Sequence, residues 1–195
     1  MNIRSAVALS LSLSLAAVAA AHAQGDKAKP SGMESMMKAG APNDHHKSLQ
    51  RFTGDFSYHM KVWTAPCQPP AESDGTMHGE SLLGGRFVQM VYHGQLMGQA
   101  FEGRGLQGFD NHKNELINYW MSNMDTGVQS SSGPCEDATH KVCTLLANIT
   151  DAKGQPVTTK QVITWVDDNN YRMEMFLVRP GGESTQSFEI TGKRK

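Results

Sequence analysis

The residues able to do chemistry fall into a few groups along this chain of 195. Three are cysteines, Cys67, Cys135 and Cys143, which allow three single pairings and leave one thiol over. Cys135–Cys143 is the preferred pair. The two flank a polar, turn-like segment (136–142) and would end one strand and begin the next. Facing cysteines there come within the ~5.5–6 Å Cα spacing that a disulfide needs. Cys67 is then a free thiol or an intermolecular link. There is no Cys-x-x-Cys and no cation beside a cysteine to lower a thiol pKa, so redox catalysis is not indicated.

His59, His78 and His93 sit on consecutive strand-like segments. On one face and in register they would form a three-His site of the kind that holds zinc with an open position. His59, however, falls on the polar side of its alternating strand, which turns it to solvent, and no metal site is assigned. Near the N-terminus, Met33, Met36 and Met37 with His45 and His46 make a soft-ligand cluster. Thioethers select Cu(I) and imidazole suits copper, so copper handling is a minor reading. The competing reading is that the methionines pack against the rest of the fold.

Glu80, Arg86, Glu102, Arg104 and Asp110 are charged residues in or near apolar segments. A carboxylate held inside a fold has a shifted pKa and becomes an acid–base candidate, the basis of a hydrolase or isomerase reading. Against it, Glu102 and Arg104 flank Gly103, share one face and are placed to pair with each other outside, while Asp110 suits the cap of a turn. There is no Gly-x-Ser-x-Gly, no nucleophile with an evident base and no Walker-type loop, so no catalytic residue is assigned. Tyr92, Phe101, Phe109, Tyr119 and Trp120 surround a glycine-rich stretch in sequence. Aromatic side chains with a few polar groups line many small-molecule sites. The candidate ligand-binding set is therefore Arg86, Phe101, Glu102, Arg104, Tyr119 and Trp120. The alternative is that these rings, with abundant methionine, fill the core.

The elements that must position these residues are strands. From Asp55 the hydrophobic period is two: Phe56, Tyr58, Met60 and Val62 alternate with Ser57, His59, Lys61 and Trp63. Further strand-like runs cover 76–83, 86–95, 99–109, 115–124, 127–132, 142–150, 157–166, 171–178 and 184–191, separated by Gly, Pro, Asn and Asp turns. About ten strands with no helix long enough for a parallel crossover predict an all-β antiparallel meander. Closing it into a barrel removes the exposed edges. A short helix over 45–52, capped by Asp44, precedes the strands. Of the 19 glycines, nine fall between Gly75 and Gly108, several inside strands, where they mark coiling of the sheet or a gap for a ligand.

Residues 1–23 carry a positive start at Arg4, an apolar run and Ala21-His22-Ala23, the layout of a secretory signal cleaved after Ala23. The expected organisation is signal peptide 1–23, flexible leader 24–43 with a helical turn over 33–38, and one β-barrel domain 44–195. The compartment is then the periplasm, oxidising enough for the disulfide. Loss of Arg4 leaves 17 Lys and Arg against 19 Asp and Glu. That balance argues against nucleic-acid binding. No other apolar stretch suggests a membrane span, and nothing assigns an oligomeric state.

Three stretches carry a resemblance. Leu83-Gly84-Gly85-Arg86-Phe87, then the run from Met97 through Phe101-Glu102-Gly103-Arg104-Gly105-Leu106-Gln107-Gly108-Phe109-Asp110, followed by Tyr119-Trp120, resemble the bacterial domain-of-unknown-function family numbered 1579. The likeness covers about residues 49–195; Phe56 and Phe109 stand where that family usually has Trp and Tyr. It implies a small calycin-like barrel and no established activity. Nitrobindin-like relatives carry haem on a late-strand histidine, and residues 157–191 contain none, so no cofactor is expected. Lipocalin-like barrels often close with a cation over the ring of a Gly-x-Trp. Here Phe56 with Arg194 or Lys193 would play those parts. The expected function is an exported barrel binding a small, mainly apolar ligand. The alternatives are an envelope structural or protein-interaction module without ligand and, further back, the carboxylate enzyme and the copper protein.

Overall fold

A computed structural model describes residues 31–65, 67–136, 139–151 and 154–195. The signal segment and the leader up to residue 30 lie outside the described residues. Alternation of apolar and polar side chains produces ten strands: β1 (Gly54–Val62), β2 (Ala71–Leu82), β3 (Phe87–Leu96), β4 (Gln99–Asp110), β5 (Glu115–Ser122), β6 (Gln129–Gly133), β7 (Val142–Thr150), β8 (Pro156–Trp165), β9 (Asn170–Val178) and β10 (Ser184–Arg194). Each pairs antiparallel with its neighbours in sequence, and β1 pairs β10 from Phe56↔Arg194 to Val62↔Phe188. The sheet is thus a closed barrel, the meander expected from the short turns. No helix among the described residues is long and apolar enough to cross a membrane.

Two helices precede the barrel, α1 (Gly32–Ala39) and α2 (Asp44–Leu49), the second running into a 3-10 turn at Gln50–Phe52. The cap of α2 is Asn43 and not Asp44: the Asn43 side chain accepts from the His45 N–H, and His46 Nδ1 accepts from the Asn43 N–H. Asp44 is one residue too late to reach the orphan N–H groups and pairs with Lys47 instead. Leu49 and Phe52 are buried in the core and close one end of the barrel. Turns at that end hold the helices. Arg86 donates to the Gly40 carbonyl, Gln50 to that of Gly85, and Asn111 to those of Ala39 and Ala41. Part of the segment read as flexible leader is therefore helix tied to the barrel base.

The seam between first and last strands is sealed by Arg194. Its guanidinium carbon lies 4.6 Å from the centroid of the Phe56 ring, and it donates to the carbonyls of Thr53 at 2.6 Å and Arg51 at 2.7 Å. Cys135 and Cys143 form a disulfide at an isolated bridge beside β6 and β7.

Candidate functional site

The strand glycines meet rings. In the barrel register Tyr58 faces Gly75, Tyr92 faces Gly103, Phe101 faces Gly94, Trp120 faces Gly105 and Tyr171 faces Gly192. A Cβ on Gly103 would stand 2.4 Å from Trp120 Cη2, and one on Gly192 would stand 2.1 Å from Tyr171 Cε1. Trp120 lies across Gly103, Tyr171 across Gly192, and the hydroxyl end of Tyr58 across Gly75 and Gly94, all backbone that carries no side chain, so large aromatics fit inside a strongly curved sheet. The glycines thus serve both curvature and the placement of an aromatic wall.

Inside that wall is a cavity of about 250 Å³. Phe52 and Tyr171 stand at the end closed by the helices. Leu96, Phe101, Trp120, Met124, Met175 and Phe188 line the part toward the other end, where Met124 is 44% exposed and marks the mouth. Met90, Ile163, Met173 and Ile190 contribute apolar surface, and no lining residue is charged. The volume falls just under the roughly 300–1,000 Å³ typical of sites for drug-sized ligands.

A polar band interrupts this surface. Gln107 on β4 faces Asn118 on β5, and Asn118 faces Ser131 on β6. All three are buried and line the cavity. Gln107 Oε1 is a buried acceptor with no hydrogen-bond partner among the described residues. The Tyr171 hydroxyl also makes no hydrogen bond of regular geometry. Burial pushes the Tyr92 hydroxyl up to about 12 and that of Tyr171 well above the ordinary phenol value, so both stay protonated.

Of the six residues singled out from sequence, Phe101 and Trp120 line the cavity. Arg86, Glu102, Arg104 and Tyr119 do not. Arg86 is exposed at the barrel base, bonded to the carbonyls of Gly40 and Leu83. Glu102 and Arg104 pair on the outer face at 2.9 Å. Tyr119 is 40% exposed beside the inward Trp120. The reason is strand parity: Glu102 follows Phe101 and Tyr119 precedes Trp120, so each pair points to opposite faces. Among the lining residues that sequence reasoning missed are Gln107, Asn118, Ser131 and Tyr171. Gln107 had a signal, since it shares the parity of Phe101, Gly103 and Gly105. Ser131, in a run of serines, had none.

The remaining clusters lie elsewhere. Glu80 is exposed, and Asp110 accepts from the N–H groups of His112 and Lys113, which hold its carboxyl below the usual carboxylate range. His59 bonds Asp74 and Glu72, His78 bonds Asp55, and His93 is exposed, all on the outer surface. Met33, Met36 and Met37 are exposed on α1. His45 stacks on Phe109 with ring centroids 3.9 Å apart, and its Nδ1 is 2.7 Å from Nε2 of His140. Ligand atoms of Cys135, His140 and Cys143 lie within 4.8 Å of one another, but the sulfurs are joined to each other in the disulfide and are not thiolates. Cys67 is free and exposed.

Fold and cavity together define a ten-stranded meander barrel with a helix-plugged base and an uncharged interior. The chain belongs to the family of proteins of unknown function DUF1579, which it matches over residues 41–194. It is similar to the crystal structure of Rv2717c from M. tuberculosis, with 11% identity, a TM-score of 0.56, and coverage of 80% of this chain and 98% of that one. That likeness shows a shared fold. A redesigned beta barrel, b11L5F_LGL, matches at 9% identity and a TM-score of 0.42, covering 76% of this chain and 95% of that one. No curated protein matches.

Proposed function

We propose that this is an exported, periplasmic binding protein, cleaved after Ala23, that holds a small, mainly apolar molecule inside the barrel. The observation that carries the reading is the cavity of about 250 Å³, walled by Phe101, Trp120 and methionines and free of charged lining residues. A base closed by the helices and a mouth lined mainly by apolar side chains suit a ligand that enters lengthwise and leaves water behind. Burial of its surface supplies about 25 cal/mol per Å² of apolar area removed from water.

Native mass spectrometry of protein purified from its own periplasm is the direct test. The expected spectrum shows a chain beginning at Gln24 with a small molecule retained. The neutral dye N-phenyl-1-naphthylamine gives a second readout, with fluorescence rising on binding to wild type. Met173→Trp, which fills the cavity, is expected to abolish that rise. A wild-type protein that neither retains a molecule nor binds the dye overturns the reading.

A further inference from the structure

Resting on that binding reading, we infer that the ligand is uncharged and carries a hydrogen-bond-donating head, a hydroxyl or primary amide, which is held at the cavity floor by Gln107. Gln107 is 1% exposed and lines the cavity, and its Oε1 has no partner among the described residues. A buried acceptor left unpaired is a standing penalty, and a bound group that donates to it recovers the lost bond. The same atom is useless to a pure hydrocarbon. It is repulsive to a carboxylate, which has only acceptors to offer.

The position of Gln107 sets the orientation. β4 runs from the mouth at Gln99 to the base at Asp110, where neighbouring Asn111 bonds the helix linker. Gln107 is therefore deep, while Phe101 on the same face is nearer the mouth. Asn118 and Ser131 continue the polar level across β5 and β6. Tyr171, at the start of β9, stands at the same closed end with a protonated hydroxyl. The floor thus presents acceptors and donors to a head group, and the upper wall presents Leu96, Met175 and Phe188 to a tail, beside Ser122 and beside Gln129 and Gln161, whose amide N–H groups donate to Thr159 and to Met173 Sδ. A hydroxyl or primary amide donates and accepts, and so satisfies both kinds of floor group. A charged head would be buried with no counter-ion, because no lining residue is charged.

The test is displacement of N-phenyl-1-naphthylamine at pH 7 by three compounds of matched tail: 1-octanol, methyl octyl ether and octanoate. The expected result for wild type is that 1-octanol displaces the dye at a concentration at least tenfold below that of the ether or octanoate. Gln107→Met keeps side-chain length and removes the acceptor. A far-UV circular dichroism spectrum and melt close to wild type would show that it has folded, and, measured against its own dye affinity, it is expected to bring 1-octanol to the level of the ether. Tyr171→Phe should give a smaller loss in the same direction. If wild type binds the dye but displaces it equally with alcohol and ether, or better with octanoate, the inference is wrong and the apolar-binding reading stands. A preference for octanol that survives Gln107→Met also overturns it. A wild type that neither retains a molecule nor binds the dye removes the binding reading and the inference with it.

Discussion

At Gly103 the energetics of the barrel are set by one missing methyl group. The ring of Trp120 occupies the space a Cβ would need, with Cη2 at 2.4 Å and Cζ2 at 2.5 Å. Gly103→Ala must push the indole off the strand, and overpacking of this kind costs about 1–3 kcal/mol. Urea denaturation should show that loss together with weaker dye binding, because the displaced ring is a cavity wall. Gly98→Ala is no neutral control, since its φ of 79° is the left-handed region. At His46, burial chiefly, with the positive charges of His45 and Arg86, holds the imidazole below its ordinary value of 6.5. The sign follows from linkage. Below pH 6.5 the unfolded chain takes up a proton that the folded one resists, so this contribution is complete above 6.5 and is lost as pH falls through the folded value. Thermal melts should therefore show Tm falling from pH 6.5 downward, and His46→Gln should flatten the slope. A slope unchanged by the substitution would remove His46 as its source.

Among the elements, β6 is the weak member. Its registered partner in β7 is Ser132↔Leu146, whereas β7 and β8 pair from Val142↔Thr164 to Thr150↔Pro156. The Cys135–Cys143 disulfide sits at the base of that same seam, next to the backbone bond from the Thr144 N–H to the Pro134 carbonyl. It closes a short loop, and chain-entropy arguments put its contribution at about 2–3 kcal/mol. Cys135→Ser with Cys143→Ser should lose that much stability. Hydrogen exchange should speed up first in β6 and the facing part of β7, ahead of β1–β4. Uniform acceleration across the barrel would show that the disulfide acts on the whole fold and not on this seam. Arg194 does the corresponding work at the β1–β10 seam through two backbone carbonyls and the Phe56 ring. Arg194→Met should cost about 2 kcal/mol, in the range for hydrogen bonds made by a charged group.

For the whole molecule, the contest is between a barrel that holds a ligand and a barrel that serves as a contact surface. Cys67 is exposed at φ 60° in the loop after β1, with its thiol outside the cavity. On the binding reading, wild type and Cys67→Ser should run alike as monomers on a non-reducing gel. A dimer that depends on Cys67 would favour the envelope-interaction alternative. Ligand retention in native mass spectrometry separates the same two cases from the other side.

Much of the architecture is legible in the sequence itself. Strict period-two alternation, as in Phe56, Tyr58, Met60 and Val62, has one physical meaning: a strand with one wet face. Short turns between such strands leave antiparallel neighbours as the natural outcome. The disulfide was legible as well, because two cysteines at adjoining strand ends are brought together by the turn itself. The cavity was legible only in part. Phe101 and Trp120 line it, whereas Glu102 and Tyr119, one residue away on the same strands, face outward because adjacent strand residues cannot share a face. What only the tertiary structure decided is which polar atoms lie inside without partners. Gln107, Asn118 and Ser131 come from three strands and meet through cross-strand register, and Tyr171 reaches the same floor from β9. Local sequence decides which face a side chain takes. Whether Gln107 Oε1 finds a donor depends on what the rest of the closed barrel places opposite it.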